Sequence, residues 1–75
     1  MKDLIEYIAR SIATKPDEVE VTVVEEGEGI LLRLEVAEDD KGKIIGRQGR
    51  VAQAMRVLVR VAAVKEGTRA NLEIV

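Results

Sequence analysis

Two alternating apolar stretches around one glycine-containing turn constrain this chain more than any other feature. Val19, Val21 and Val23 point one way while Glu20, Thr22 and Val24 point the other. Ile30, Leu32, Leu34 and Val36 then alternate with Leu31, Arg33 and Glu35. Glu26-Gly27-Glu28-Gly29 lies between the two stretches, so together they predict a β-hairpin. A lone hairpin is marginal in water; it needs a further strand and a cover for its apolar face. The flanks supply both. Leu4, Ile5, Ile8 and Ile12 recur at helical spacing, with Asp3 and Glu6 as the expected N-terminal cap and Pro16 as the stop. Downstream come a short segment from Lys41 to Ile45, a helix from about Arg50 to Lys65 stopped by Gly67, and a strand on Ala70, Leu72 and Ile74. The expected order is α-β-β-α-α-β. This is an α+β fold, with a three-stranded sheet covered on one face by three helices.

Seventy-five residues leave room for one core, so residues 1–75 read as a single domain. That core must be aliphatic, because Tyr7 is the only aromatic residue; Tyr7 itself is expected in the core or at its boundary. With no Cys, His, Trp or Phe, disulfides, His or Cys metal ligation and Cys- or His-based catalysis are excluded. Ser11 has no base to activate it, and the carboxylates form no catalytic constellation. A non-catalytic chain without metal or cofactor is expected. No run approaches the ~18 apolar residues of a membrane span, and Met1 opens directly onto polar residues, so a soluble, cytoplasmic chain is expected. A domain this small, without staples, needs either very regular local structure or a partner copy.

The charge is divided. Residues 1–40 hold four basic residues against twelve acids, whereas residues 41–75 hold eight against Glu66 and Glu73. Such asymmetry fits an anionic partner; it also fits a charge balance between packed halves. Glu38-Asp39-Asp40 offers two readings, a magnesium site or an acidic helix-capping turn, and the second is favoured.

The stretch Lys43-Ile44-Ile45-Gly46-Arg47-Gln48-Gly49-Arg50-Val51 has the most chemistry. Its centre is a G-x-x-G loop between two helical segments. The two glycines allow close backbone approach, and peptide N–H groups there and at the next helix start can face a phosphate. Arg47, Gln48 and Arg50 add donors, with Lys43 close by, while Ile44, Ile45 and Val51 can wall an apolar trough for bases. The competing reading is an ordinary tight helix–helix turn.

In its α-β-β-α-α-β setting, this stretch resembles the signature of the KH domain in its type II, bacterial arrangement. The opening Leu4-Ile5-Glu6-Tyr7-Ile8-Ala9, the segment Pro16-Asp17-Glu18-Val19 and the Ala/Val/Arg-rich helix after the loop extend the similarity to the KhpA-type family of small bacterial KH proteins. The resemblance covers essentially the whole chain. It implies an RNA-binding protein, an RNA chaperone, that contacts single-stranded RNA through Gly46, Arg47, Gln48 and Gly49, with Ile44, Ile45 and Val51 as groove wall. It also implies action beside a larger Jag-type KH protein, in control of cell elongation, division and peptidoglycan homeostasis. The alternative is a protein-interaction adaptor whose G-x-x-G loop is only structural.

The long helix offers two apolar seams. Val51, Met55, Leu58 and Ala62 are expected to face the sheet. Ala54, Val57, Val61 and Val64 form a second seam, spaced like coiled-coil a and d positions. This seam either receives the first helix or forms a homodimer interface.

Overall fold

A computed structural model describes all 75 residues. Helix α1 (Lys2–Ile12) leads through a short helical turn (Pro16–Glu18) into strands β1 (Glu20–Glu26) and β2 (Gly29–Glu35). Helix α2 (Lys41–Ile45), a turn at Arg47–Gly49, helix α3 (Arg50–Lys65) and strand β3 (Arg69–Ile74) complete the chain. The α+β fold and its α-β-β-α-α-β order are those expected from the hydrophobic pattern.

The sheet order is β1-β2-β3. β1 and β2 pair antiparallel from Glu20 opposite Glu35 to Glu26 opposite Gly29. β2 and β3 pair parallel, with Leu32 opposite Leu72. A parallel pair needs a crossover, and α2, the loop and α3 provide it. β2 is therefore central, and its Leu32 and Leu34 are among the most buried side chains. α1 packs on β1 and α3 on β3, both on the same side. The other side carries the register rows Thr22-Arg33-Glu73 and Glu20-Glu35.

Thirteen buried residues form the core, all of them aliphatic or Met. Tyr7 does not join them; it is exposed on the outer side of α1. Ile5 and Ala9 bury the inner face of α1, with Ile8 and Ile12 half-buried beside them. The expected cap also differs. Asp3 lies inside the first turn, where its charge favours the helix dipole, and no side chain caps the start. Val23 follows the alternation of β1 but is exposed, because it sits on the edge strand towards the hairpin tip.

The face that α3 turns to the sheet is Ala52, Met55, Val59 and Ala63. This corrects the expected set: Val51 and Ala62 are half-buried and Leu58 is exposed. Ala52 and Ala63 are small enough to let the helix lie close to β3, so the buried stripe turns towards them and away from Leu58. α3 ends at Gly67 as expected. Thr68 N–H donates to the Ala63 carbonyl at 2.9 Å and Gly67 N–H to Val64 at 3.1 Å, which closes the last turn.

Candidate functional site

Positioning of the loop starts at Asp40, some distance from it in sequence. Asp40 is fully buried. Its Oδ1 accepts the Thr14 N–H at 3.0 Å and the Thr14 hydroxyl at 2.7 Å, and its Oδ2 accepts the Lys15 N–H at 3.0 Å. The Thr14 backbone bond, followed by the Thr14 hydroxyl, holds the carboxyl below its usual range despite its burial. Asp40 thus ties the end of α1 to the start of α2. The acidic triplet is therefore divided in role. Glu38 pairs with Lys41 at 3.0 Å and Asp39 with Lys15 at 3.3 Å, both at the surface.

α2 then projects one isoleucine inward and one outward. Ile44 is fully buried in the core, which corrects its expected place in the groove wall: its side chain supports the loop from beneath and has no surface to offer. Ile45 is 41% exposed and Val51 half-buried, so these two remain at the surface of the loop region. Gly46 N–H donates to the Gly42 carbonyl at 2.9 Å and closes α2.

The loop backbone is left-handed at three of its four residues. Gly46 has φ 79 and ψ 174, Gln48 φ 58 and ψ 26, and Gly49 φ 73 and ψ 13. A Cβ on Gly46 would lie 2.8 Å from Val51 Cβ and 3.0 Å from Val51 N, so the start of α3 is packed directly onto this residue. Gly49 N–H donates back to the Gly46 carbonyl at 3.1 Å and keeps the loop compact. Gly49 is also the residue before α3. No side chain caps that helix and no acid stands in its first turn, so its positive end is open to an anion. Arg47 and Gln48 are exposed, and Arg50 Nη2 donates to Gln48 Oε1 at 3.3 Å.

The cations divide sharply. Lys2, Arg10, Lys15, Arg33 and Lys41 each pair with a carboxylate. Lys43, Arg47, Arg50, Arg56, Arg60, Lys65 and Arg69 pair with none. α3 has no acid in its sixteen residues. Arg56 leans over the sheet edge and donates from Nε to the Leu72 carbonyl at 3.4 Å. Below it, between α3 and β3, runs a crease of about 340 Å³ lined by Arg60, Ala63, Val64, Thr68, Arg69, Ala70 and Asn71. The free cations thus follow α3 from the loop to this crease, a span of about 24 Å. Arg69, Thr68 and Asn71 were not legible as site residues, because their place beside Arg60 depends on the parallel return of β3.

The outer face of α3 is apolar. Val57 is 47%, Val61 50% and Val64 76% exposed, with Ala54 and Leu58 beside them. α1 packs on β1 and leaves this seam open, so the alternative that α1 covers it does not hold.

A G-x-x-G loop joining two helices, set in an α-β-β-α-α-β chain with β2 parallel to β3, defines the class as a type II KH domain. The chain belongs to the KhpA/KhpB KH-domain family, whose model matches residues 2–74. It is 49% identical over 75 residues to the RNA-binding protein KhpA of Clostridium acetobutylicum, with both chains covered completely. It is 47% identical over 75 residues to RNA-binding protein KhpA of Clostridium perfringens, again over the full length of both. RNA-binding protein KhpA of Treponema pallidum is 47% identical, covering 99% of this chain and 92% of that one. No solved structure matched the chain.

Proposed function

We propose that residues 1–75 act as one KH unit that binds single-stranded RNA without catalysis. Lys43, Ile45, Gly46, Arg47, Gln48, Gly49, Arg50 and Val51 form the contact region, and the α3–β3 crease continues it. The observation that carries this reading is the meeting of three features: a tight left-handed loop, the uncapped positive end of α3, and the unpaired cations. Phosphate is held by backbone N–H groups and by Arg47 and Arg50. Bases lie against aliphatic carbon and not on aromatic rings, since Tyr7 is on α1. Clamping a few nucleotides this way gives modest affinity and low sequence selectivity. The relatives named RNA-binding protein KhpA support the same reading.

Salt dependence tests it. Each phosphate neutralised on a single strand adds about −0.7 to the slope of log affinity against log salt. Lys43, Arg47 and Arg50, with Arg56 or Arg60, give an expected slope between about −1 and −3. A slope near zero contradicts phosphate clamping.

The finer role rests on kinship with the family. The protein acts in the cytoplasm as an RNA chaperone, beside a larger Jag-type KH protein, in post-transcriptional control of cell elongation, division and peptidoglycan homeostasis. The open seam of Ala54, Val57, Val61 and Val64 supports a homodimer, and the same face suits the related KH partner. Joining two copies there removes from water an apolar strip that nothing else in the chain covers.

A further inference from the structure

The chain has one aromatic side chain, and it is 73% exposed. Tyr7 lies two residues from both Ile5 and Ala9, which face the sheet, so it points about 160° round the helix from each. Asp3, one turn earlier, shares that outer row. On α3, Val57 and Val61 flank the buried Val59 in the same way, and Lys65 extends their row by one turn. Both rows look outward from one layer of helices. They also run level. The Met1 ammonium lies 4.0 Å from Glu66, and Asp40 ties the end of α1 to α2, which leads into the start of α3. α1 and α3 are thus antiparallel. At equal rise, Asp3 stands level with Lys65, Tyr7 with Val61 and Ser11 with Val57.

A second α3 does not complement this surface. The helix has no acid in its sixteen residues, so two of them side by side bring cations against cations. The seam also holds a shallow hollow of about 330 Å³, lined by Val61, Val64 and the stems of Arg60 and Lys65, and α3 has no ring to place in it. α1 has both missing parts. Tyr7 supplies the ring, and Asp3 is a carboxylate without an ion pair, as Lys65 is a cation without one.

We propose that two copies join about a twofold axis parallel to these helices and midway between them, so that Tyr7 of each copy seats in the α3 hollow of the other and Asp3 meets the partner's Lys65. The inference rests on the homodimer reading and deepens it: the seam of each copy is covered by α1 of the other, not by a second α3. The ring gains contact with valine methyls and with cationic stems. The contact is isologous and closes at two copies. Arg56 and the α3–β3 crease lie on the flank of α3 towards β3, so they stay open in the dimer.

Sedimentation equilibrium tests it on wild type, Tyr7→Ala, Asp3→Lys, Lys65→Asp and the swap Asp3→Lys/Lys65→Asp, with circular dichroism to confirm folding. Tyr7→Ala is expected to weaken dimerisation about tenfold or more. Each single charge reversal is expected to weaken it about threefold, and the swap to restore it to within about twofold of wild type. One measurement needs no variant. With no Trp in the chain, Tyr7 is the source of its fluorescence, and quenching by acrylamide is expected to fall as wild type is concentrated into the dimer. A dimer in which Tyr7 is quenched as readily as in the monomer overturns the proposal. So does a Tyr7→Ala variant that dimerises like wild type, or a Lys65→Asp variant that dimerises more tightly, which indicates α3 packed on α3. If wild type stays monomeric at every concentration, the homodimer reading itself fails and this arrangement falls with it.

Discussion

A methyl group placed on Gly46 would lie 2.8 Å from the Cβ of Val51, whereas one placed on Gly49 would meet nothing within 4 Å. Both glycines have positive φ, and they stand three residues apart in one loop. The first is packed into the scaffold and the second faces open space. The same division runs through the whole segment from Asp40 to Val51. Asp40, Ile44 and Gly46 are fixed by burial, hydrogen bonds or contact, while Lys43, Ile45, Arg47, Gln48 and Arg50 are exposed. A loop built this way keeps its shape from below and leaves its upper side to a ligand. Substitutions on the two sides should therefore separate stability from binding.

The largest effect is expected at Gly46. Gly46→Ala combines a backbone region open almost only to glycine with a collision against Val51, for a loss of about 3 kcal/mol or more. Gly49→Ala meets only the backbone penalty, about 1 kcal/mol. Urea unfolding of the two variants measures the difference. Equal losses would erase the division.

Asp40 comes next. Asp40→Ala leaves the Thr14 and Lys15 N–H groups without their acceptor and is expected to lower Tm by on the order of 10 °C. The pH dependence has a definite sign. The folded carboxyl is held below its ordinary value, so its contribution is complete above about pH 4 to 5 and is lost as pH falls through the depressed value. The stability gap between wild type and Asp40→Asn should be constant from pH 7 to 5 and narrow in more acid solution. A gap that widens on acidification contradicts the assignment.

These two residues also show what a sequence can and cannot disclose. The hairpin, the three helices and the G-x-x-G loop were legible, because each is local and periodic or punctuated by glycine. Asp40 was not. Its partners are 25 and 26 residues away, and beside Glu38 and Asp39 it looks like one more surface acid. Ile44 and Ile45 are indistinguishable as letters, and only the seating of α2 buries one and exposes the other. The pattern of α3 places its apolar stripe one position from the true one, since pattern alone weighs leucine above alanine as a core residue.

Smaller effects probe the exposed side. Val57→Arg puts a charge in the open seam without touching Met55 or Val59. Light scattering is expected to show a dimer for wild type and a folded monomer for the variant, with thermal stability of the monomer unchanged within about 0.5 kcal/mol. A wild type that is monomeric at high micromolar concentration would remove the seam from the account. Gln48→Gly is expected to change stability least. Relief of the left-handed backbone at Gln48 and the added freedom of the unfolded chain oppose each other, leaving a net of a few tenths of a kcal/mol.

The most direct test of the division is the double variant Arg47→Asp/Gln48→Asp, assayed for single-stranded RNA by fluorescence anisotropy alongside circular dichroism and a urea melt. Both side chains are exposed, and neither supports the core. The expected result is a native spectrum, an unfolding midpoint close to wild type, and RNA binding reduced below detection by two negative charges at the proposed phosphate contact. A folded double variant that binds RNA as tightly as wild type would contradict the central claim that the outer side of this loop is the RNA contact.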